Sequence, residues 1–89
     1  MCDNMGLEVI DFNERIVWET AKIMIEEEGN PVSVKLLDRE YKYIYTYIKK
    51  NAPVEAIKVF QRFPKLDVES ILYDLREMYL IYFVRGEVK

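Results

Sequence analysis

Apolar residues recur at helical spacing over much of this chain and bunch into one uninterrupted run near its end. Val54, Ile57 and Phe60 fall every third residue, and Val68, Ile71, Leu72, Leu75 and Met78 every third or fourth. This predicts two short amphipathic helices. Pro53 suits the first position of the first helix, and Asp67 suits the N-cap of the second. Between them Arg62-Phe63-Pro64-Lys65-Leu66 predicts a turn, because Pro64 keeps Phe63 out of helical geometry. On the second helix Glu69, Ser70, Tyr73, Asp74, Arg76 and Glu77 fall largely outward. The period then changes: Leu80-Ile81-Tyr82-Phe83-Val84 is aromatic and β-branched, which predicts a strand turning at Arg85-Gly86.

Upstream, Asp38 suits the N-cap of a helix over 39–50. Leu37, Tyr41, Ile44, Tyr45 and Ile48 gather on one of its faces and are expected in the core. Arg39, Tyr43 and Tyr47 line a different face, suited to a neighbouring helix or to stacking on bases or a partner protein. Val32 to Leu37 reads either as a short strand or as the first turns of that helix.

The first 30 residues read as an extension. Residues 1–10 predict a frayed start with Leu7, Val9 and Ile10 against the body. Asp11 and Glu14 have the spacing of a capping box, which predicts a helix over 12–28 closed by Gly29 and Pro31. Ile16, Met24, Val17, Ala21, Ile25 and Trp18 would cover about 200° of that helix, wider than one packing partner requires. The excess points either to burial deep in the chain's own core or to a second copy. The interface expected from it comprises Phe12, Val17, Trp18 and Ile25, with Tyr43 and Tyr47 as further partner contacts.

Composition narrows the function. Eighty-nine residues, 51% hydrophobic and 33% charged, make one domain large enough to fold without metals or disulfides. No apolar run approaches the roughly 18 residues of a membrane span, and no secretory signal opens the chain, so a cytoplasmic location is expected. Cys2 is the sole cysteine and there is no histidine. The chain therefore lacks an internal disulfide, the commonest general base and the commonest metal ligand. With no Gly-rich phosphate loop and no nucleophile motif, no catalysis and no cofactor or metal are expected. Eleven Glu, eight Lys and nine Ile against a single Gln lean towards a thermophilic source.

The formal net charge of −3 is unevenly spread. Residues 1–30 carry eight acids and two bases, residues 31–65 eight bases and three acids, and residues 66–89 five acids and three bases. An acidic balance argues against indiscriminate nucleic-acid binding, while the basic middle leaves room for a local site.

Taken together, a helix ending in Tyr47-Ile48-Lys49-Lys50-Asn51-Ala52-Pro53, a short helix, a turn, the spacing Val68, Leu72, Leu75, and the pair Leu80-Ile81 resemble the winged-helix variant of the helix-turn-helix. The resemblance covers residues 38–89. Tyr79 stands where that family usually has glycine, and Phe63-Pro64 where a leucine-glycine-leucine run is common. The wing's return strand would be nearly absent unless Val32–Leu37 pairs with Leu80–Val84. The fold expected is thus mainly α with a small β wing, with residues 1–30 as extension and 31–89 as core. What the resemblance implies is duplex DNA bound by the last helix and the wing. Lys58, Arg62, Lys65, Arg85 and Lys89 are the expected phosphate contacts, and Ser70 and Tyr73 face the bases. The acidic residues of the last helix support the alternative, a winged-helix module that binds protein as an accessory subunit of a replication or transcription assembly. The reading carried forward is a dimeric, DNA-binding regulator of transcription.

Overall fold

The computed structural model describes residues 8–26 and 34–85. Within them the elements run β1 (Glu8–Val9), β2 (Lys22–Ile25), α1 (Arg39–Asn51), β3 (Val54–Glu55), α2 (Ala56–Arg62), α3 (Val68–Glu77) and β4 (Ile81–Arg85). The strands form one antiparallel sheet in the order β1-β4-β2-β3. Three helices with a four-stranded sheet make this an α/β fold, not a mainly α one with a small wing.

The sheet is built around β4. Strands β1 and β2 flank it on either side, so its residues read as a continuous apolar run rather than an alternating one. Leu80, Ile81, Phe83 and Val84 are all buried. Strand β2 pairs with it from Lys22 opposite Val84 to Ile25 opposite Ile81, and Glu26 N–H donates to the Leu80 carbonyl at 3.0 Å. Ile23 lies opposite Phe83 on one face, and neither side chain has exposed surface. The edge strand β3 is two residues long, which leaves little ladder on that side for a foreign strand to extend.

The helix expected over 12–28 is therefore replaced, within the described residues, by turns and β2. Ile10 N–H donates to the Phe83 carbonyl at 2.9 Å, continuing β1. The chain then crosses β4 to reach β2, and buries Ile16 and Ala21 on the way. Asp11 and Glu14 close a backbone turn, with Glu14 N–H on the Asp11 carbonyl at 3.0 Å, instead of opening a helix. Ala56 N–H donates to the Ala21 carbonyl at 3.0 Å, so the crossover also anchors the start of α2. Residues 8–26 thus contribute β1 and β2 to the sheet and Ile10, Ile16, Ala21 and Ile23 to the core. Residues 27–33 lie outside the described residues. The Leu80–Val84 strand pairs with β1 and β2, not with Val32–Leu37, and Leu37 N–H closes a turn on the Val34 carbonyl at 3.2 Å.

The remaining helices follow the sequence closely. Helix α1 starts after Asp38 and buries Ile44, Tyr45 and Ile48. In α3 the Asp67 side chain accepts from Ser70 N–H at 3.4 Å, and Val68, Ile71, Leu72 and Leu75 are buried. Helix α2 differs in register. Pro53 precedes β3 rather than opening the helix, and Ala56 and Val59 are its buried residues, with Ile57 and Phe60 half-buried. Helix α3 ends by donating Leu80 N–H to the Leu75 carbonyl (3.1 Å) and Tyr79 N–H to that of Arg76 (2.9 Å). This Schellman pattern puts Tyr79 at φ 60, a left-handed position that glycine fills at least cost.

A part-buried polar contact ties α1 to α3: the Tyr41 hydroxyl donates to the Asp74 carboxylate. That hydrogen bond, with desolvation adding to it, pushes the Tyr41 hydroxyl up from 10.0 to about 12. A raised folded-state value means the contribution is complete below pH 10. It is lost as pH rises, first because the unfolded tyrosine ionises and finally as the folded one does. Tyr41→Phe should cost about 1 kcal/mol at neutral pH. In urea titrations between pH 9 and 12 the variant should lose less stability than wild type; an identical alkaline limb would exclude this bond as its source.

Candidate functional site

The most distinctive surface is basic and comes from α1, α2 and the turn after α2. With Ile44, Tyr45 and Ile48 committed to the core, Arg39, Lys42, Lys49 and Lys50 fall on the solvent side of α1. On α2 and the turn, Ala56 and Val59 take the core, leaving Lys58, Arg62 and Lys65 exposed. Lys35 is exposed as well. The same stretch has only Asp38, Glu40 and Glu55 as acids. None of these eight bases is ion-paired among the described residues, where the ion pairs join Arg85 to Glu8 and Glu14.

Two features join α1 to α2 within this surface. A cleft of about 320 Å3 is lined by Tyr47 and Asn51 of α1, Lys22 of β2, Pro53, Val54 and Glu55, and Lys58 of α2. Phe63 stands edge-on to Tyr47, ring centres 5.7 Å apart, and the Arg62 guanidinium lies 5.1 Å from the Phe63 ring. The turn expected from Pro64 thus sets a cation beside α1.

The other expected DNA contacts are disposed differently. Ser70 is exposed on the first turn of α3, with Glu69 beside it and Glu77 further along. Tyr73 is half-buried and engaged inside the fold, its ring 5.6 Å from that of Trp18. Arg85 is held by both Glu14 carboxylate oxygens (2.6 and 3.3 Å) and by Glu8 at 3.1 Å, and these carboxylates raise its already high pKa. It pins β4 to β1 and to the crossover. Lys89 lies outside the described residues.

The expected interface residues are divided too. Phe12, Val17 and Tyr43 are exposed. Trp18 is an internal contact, its ring packed on Phe60 (5.2 Å), Tyr73 and Phe83 (5.5 Å). Ile25 is a half-buried strand residue and Tyr47 packs on Phe63. Phe12, Val17, Trp18 and Ile25 lie on turns and β2 rather than on the helix expected over 12–28.

Arg76, expected outward, is buried with 6% of its surface exposed. Its guanidinium carbon lies 4.5 Å from the centre of the Phe12 ring and 5.4 Å from those of Tyr73 and Phe83. Its Nε and Nη1 have no hydrogen-bond partner. Burying an arginine without a counter-charge costs several kcal/mol, and the cation–π contacts return about 0.5–2 each. The signal available in the sequence was position: Arg76 follows the core residue Leu72 by one helical repeat. Beside it opens a cavity of about 340 Å3, lined by Val9, Phe12, Glu26, Arg76, Tyr79, Ile81 and Tyr82.

Comparisons with protein-family models, curated proteins and solved structures return no match to this chain. The residues and their placement are therefore the whole basis for a functional reading. Among the described residues no group of three or more Cys, Asp or Glu is placed to hold a metal ion, and no helix is long and apolar enough to cross a membrane.

Two substitutions in this aromatic cluster should differ sharply in urea unfolding. Trp18→Ala removes a ring packed against three others and should cost about 3 kcal/mol. Arg76→Met exchanges an uncompensated cation for an apolar chain of similar length and should leave stability unchanged or raise it by about 1 kcal/mol. A loss above about 3 kcal/mol for Arg76→Met would mean that the cation–π contacts dominate its energetics.

Proposed function

We propose that the chain is a small winged-helix-type protein that binds duplex DNA and regulates transcription, gripping the duplex chiefly by its phosphates. The observation that carries this reading is the basic surface. Every Lys and Arg between positions 35 and 65 is exposed, and none is ion-paired among the described residues. Neutralising phosphates is the main source of affinity for DNA, and unpaired cations do this without first breaking a salt bridge.

The topology supports the family reading. Helix α1, helix α2, a turn, helix α3 and strand β4 follow one another in the order the resemblance implies, with the unexpected β3 between the first two helices. Beside β4, strand β2 lies antiparallel between β4 and β3, which gives β4 a partner strand from the N-terminal part of the chain. Lys58, Arg62 and Lys65 are then the phosphate contacts, with Ser70 the one uncharged α3 side chain exposed at the helix start. Arg85 is engaged with carboxylates and contributes little. A second copy of the chain, covering the exposed Val17, would double the phosphate contacts.

A protein-binding role is the second reading. The specific observation favouring it is that Glu69 and Glu77, exposed on α3, would repel a phosphate backbone.

The two readings separate on salt. Band shifts on random duplex DNA should show binding at low salt, with affinity falling by a log–log slope of about −3 if three phosphates are neutralised. Lys58→Ala, Arg62→Ala or Lys65→Ala should each reduce that slope by about one and weaken all sequences alike. Absence of any shift at low salt would dispose of the DNA reading and leave the protein-binding one.

A further inference from the structure

We infer that the cavity beside Arg76 is a binding site for a small organic monocarboxylate with an aromatic or branched apolar body. The site lies at the end of α3 and along β4, separate from the basic surface of α1 and α2. Its first feature is the cation itself. Arg76 is more than nine-tenths buried, lines the cavity and leaves Nε and Nη1 without hydrogen-bond partners. Guanidinium and carboxylate match in planar, two-pronged geometry, so a carboxylate is the group that would satisfy those donors. The charge count selects a monoanion, because Arg76 is the one guanidinium lining the cavity.

The walls select the rest of the ligand. Val9, Phe12, Tyr79, Ile81 and Tyr82 present apolar and aromatic surface, and about 340 Å3 lies at the small end of ligand-sized cavities. Two of these side chains are placed as a movable cover. Phe12 sits on the turn from Asp11 to Glu14, is exposed to solvent, and lies over the guanidinium at 4.5 Å. Tyr79 packs against Phe12 in a tilted pair, ring centres 6.0 Å apart. Although 68% exposed, Tyr79 occupies the left-handed position at φ 60, where a side chain is a steric burden. The ring held there forms one wall of the cavity mouth. Swinging Phe12 aside opens the guanidinium to the cavity while Tyr73 and Phe83 keep it in place.

The test is an NMR titration of wild-type protein with phenylacetate and, in parallel, with its neutral isostere phenylacetamide, following backbone amides and the Arg76 Nε–H. Phenylacetate should give saturable shifts at Phe12, Arg76, Tyr79 and Tyr82, and bind at least about tenfold more tightly than phenylacetamide. Arg76→Met should abolish that preference. Tyr79→Gly, which keeps the helix end in its least strained form, should weaken phenylacetate binding several-fold without lowering the unfolding temperature. Equal affinity for the two ligands, or no saturation by phenylacetate at about 10 mM, would overturn the proposal on wild-type protein alone. So would a folded Arg76→Met protein that still prefers the carboxylate.

Discussion

The pairing of β2 with β4 is the constraint on which the rest depends. Ile23 opposite Phe83 and Ile25 opposite Ile81 set four apolar side chains on one face. Side chains alternate along a strand, so a slip of one residue would turn Lys22 and Met24 into the core and these isoleucines out of it. The register is therefore strongly specified. Once it is made, β3 can pair along the other side of β2, Val54 opposite Ile23, and α2 begins at once from Glu55. The Ala56–Ala21 hydrogen bond closes the same corner. The helices thus hang from a pairing between two segments more than 50 residues apart, which makes the sheet a late and loop-costly part of assembly.

This dependence explains which parts of the fold were legible in the sequence. Helices α1 and α3 and the turn before α3 announce themselves locally, through the caps Asp38 and Asp67, the Phe63-Pro64 break and apolar residues every third or fourth position. Strand β4 is legible for the opposite reason: a run of five apolar residues, Leu80 to Val84, has no polar face to offer. The segment 12–26 was misread because its apolar residues come from two different structures. Ile16 and Trp18 belong to a crossover that lies against α2, α3 and β4, while Ile23 and Ile25 alternate along a strand. Projected together on a helix, they spread over an arc too wide for one partner, and that width reflected a wrong period rather than a second copy. No local cue distinguishes these cases, since Asp11 and Glu14 make a turn with the same spacing that opens a helix. The short β3 was equally hidden, because Val54 and Glu55 pair only when β2 is present.

The candidate sites divide along the same line. Lys58, Arg62 and Lys65 could be named from sequence because helical register settles what is exposed once the core face is known. Arg85 could not be judged, because Glu8 and Glu14, which hold it, come from the far end of the chain. Helical spacing alone puts Arg76 outward, and the rings that receive it include Phe12, again from the crossover. Arg85 and Arg76 are both charges whose surroundings include residues from 8–20. In its fold this segment is less an extension than the lining of one side of the core.

That lining also connects the two surfaces. From the cavity, Phe12 lies over Arg76, Arg76 over Tyr73 and Phe83, both of these against Trp18, and Trp18 against Phe60 of α2. Helix α2 in turn carries Lys58 and Arg62. Contiguity supplies a path but not coupling, which requires that the path have two packings of different energy. Phe12 is where a second packing is cheapest, because it is a turn residue exposed to solvent, whereas Phe83 is fully buried between paired strands and Trp18 is wedged among three rings. A carboxylate that moves Phe12 changes what surrounds Arg76. Whether α2 feels that change depends on Trp18 shifting with Tyr73, a motion the close packing of Trp18 against Phe60 opposes. The arrangement therefore favours a stiff core with one adjustable cover. Any influence of the cavity on the basic surface would be set by how far Trp18 can follow.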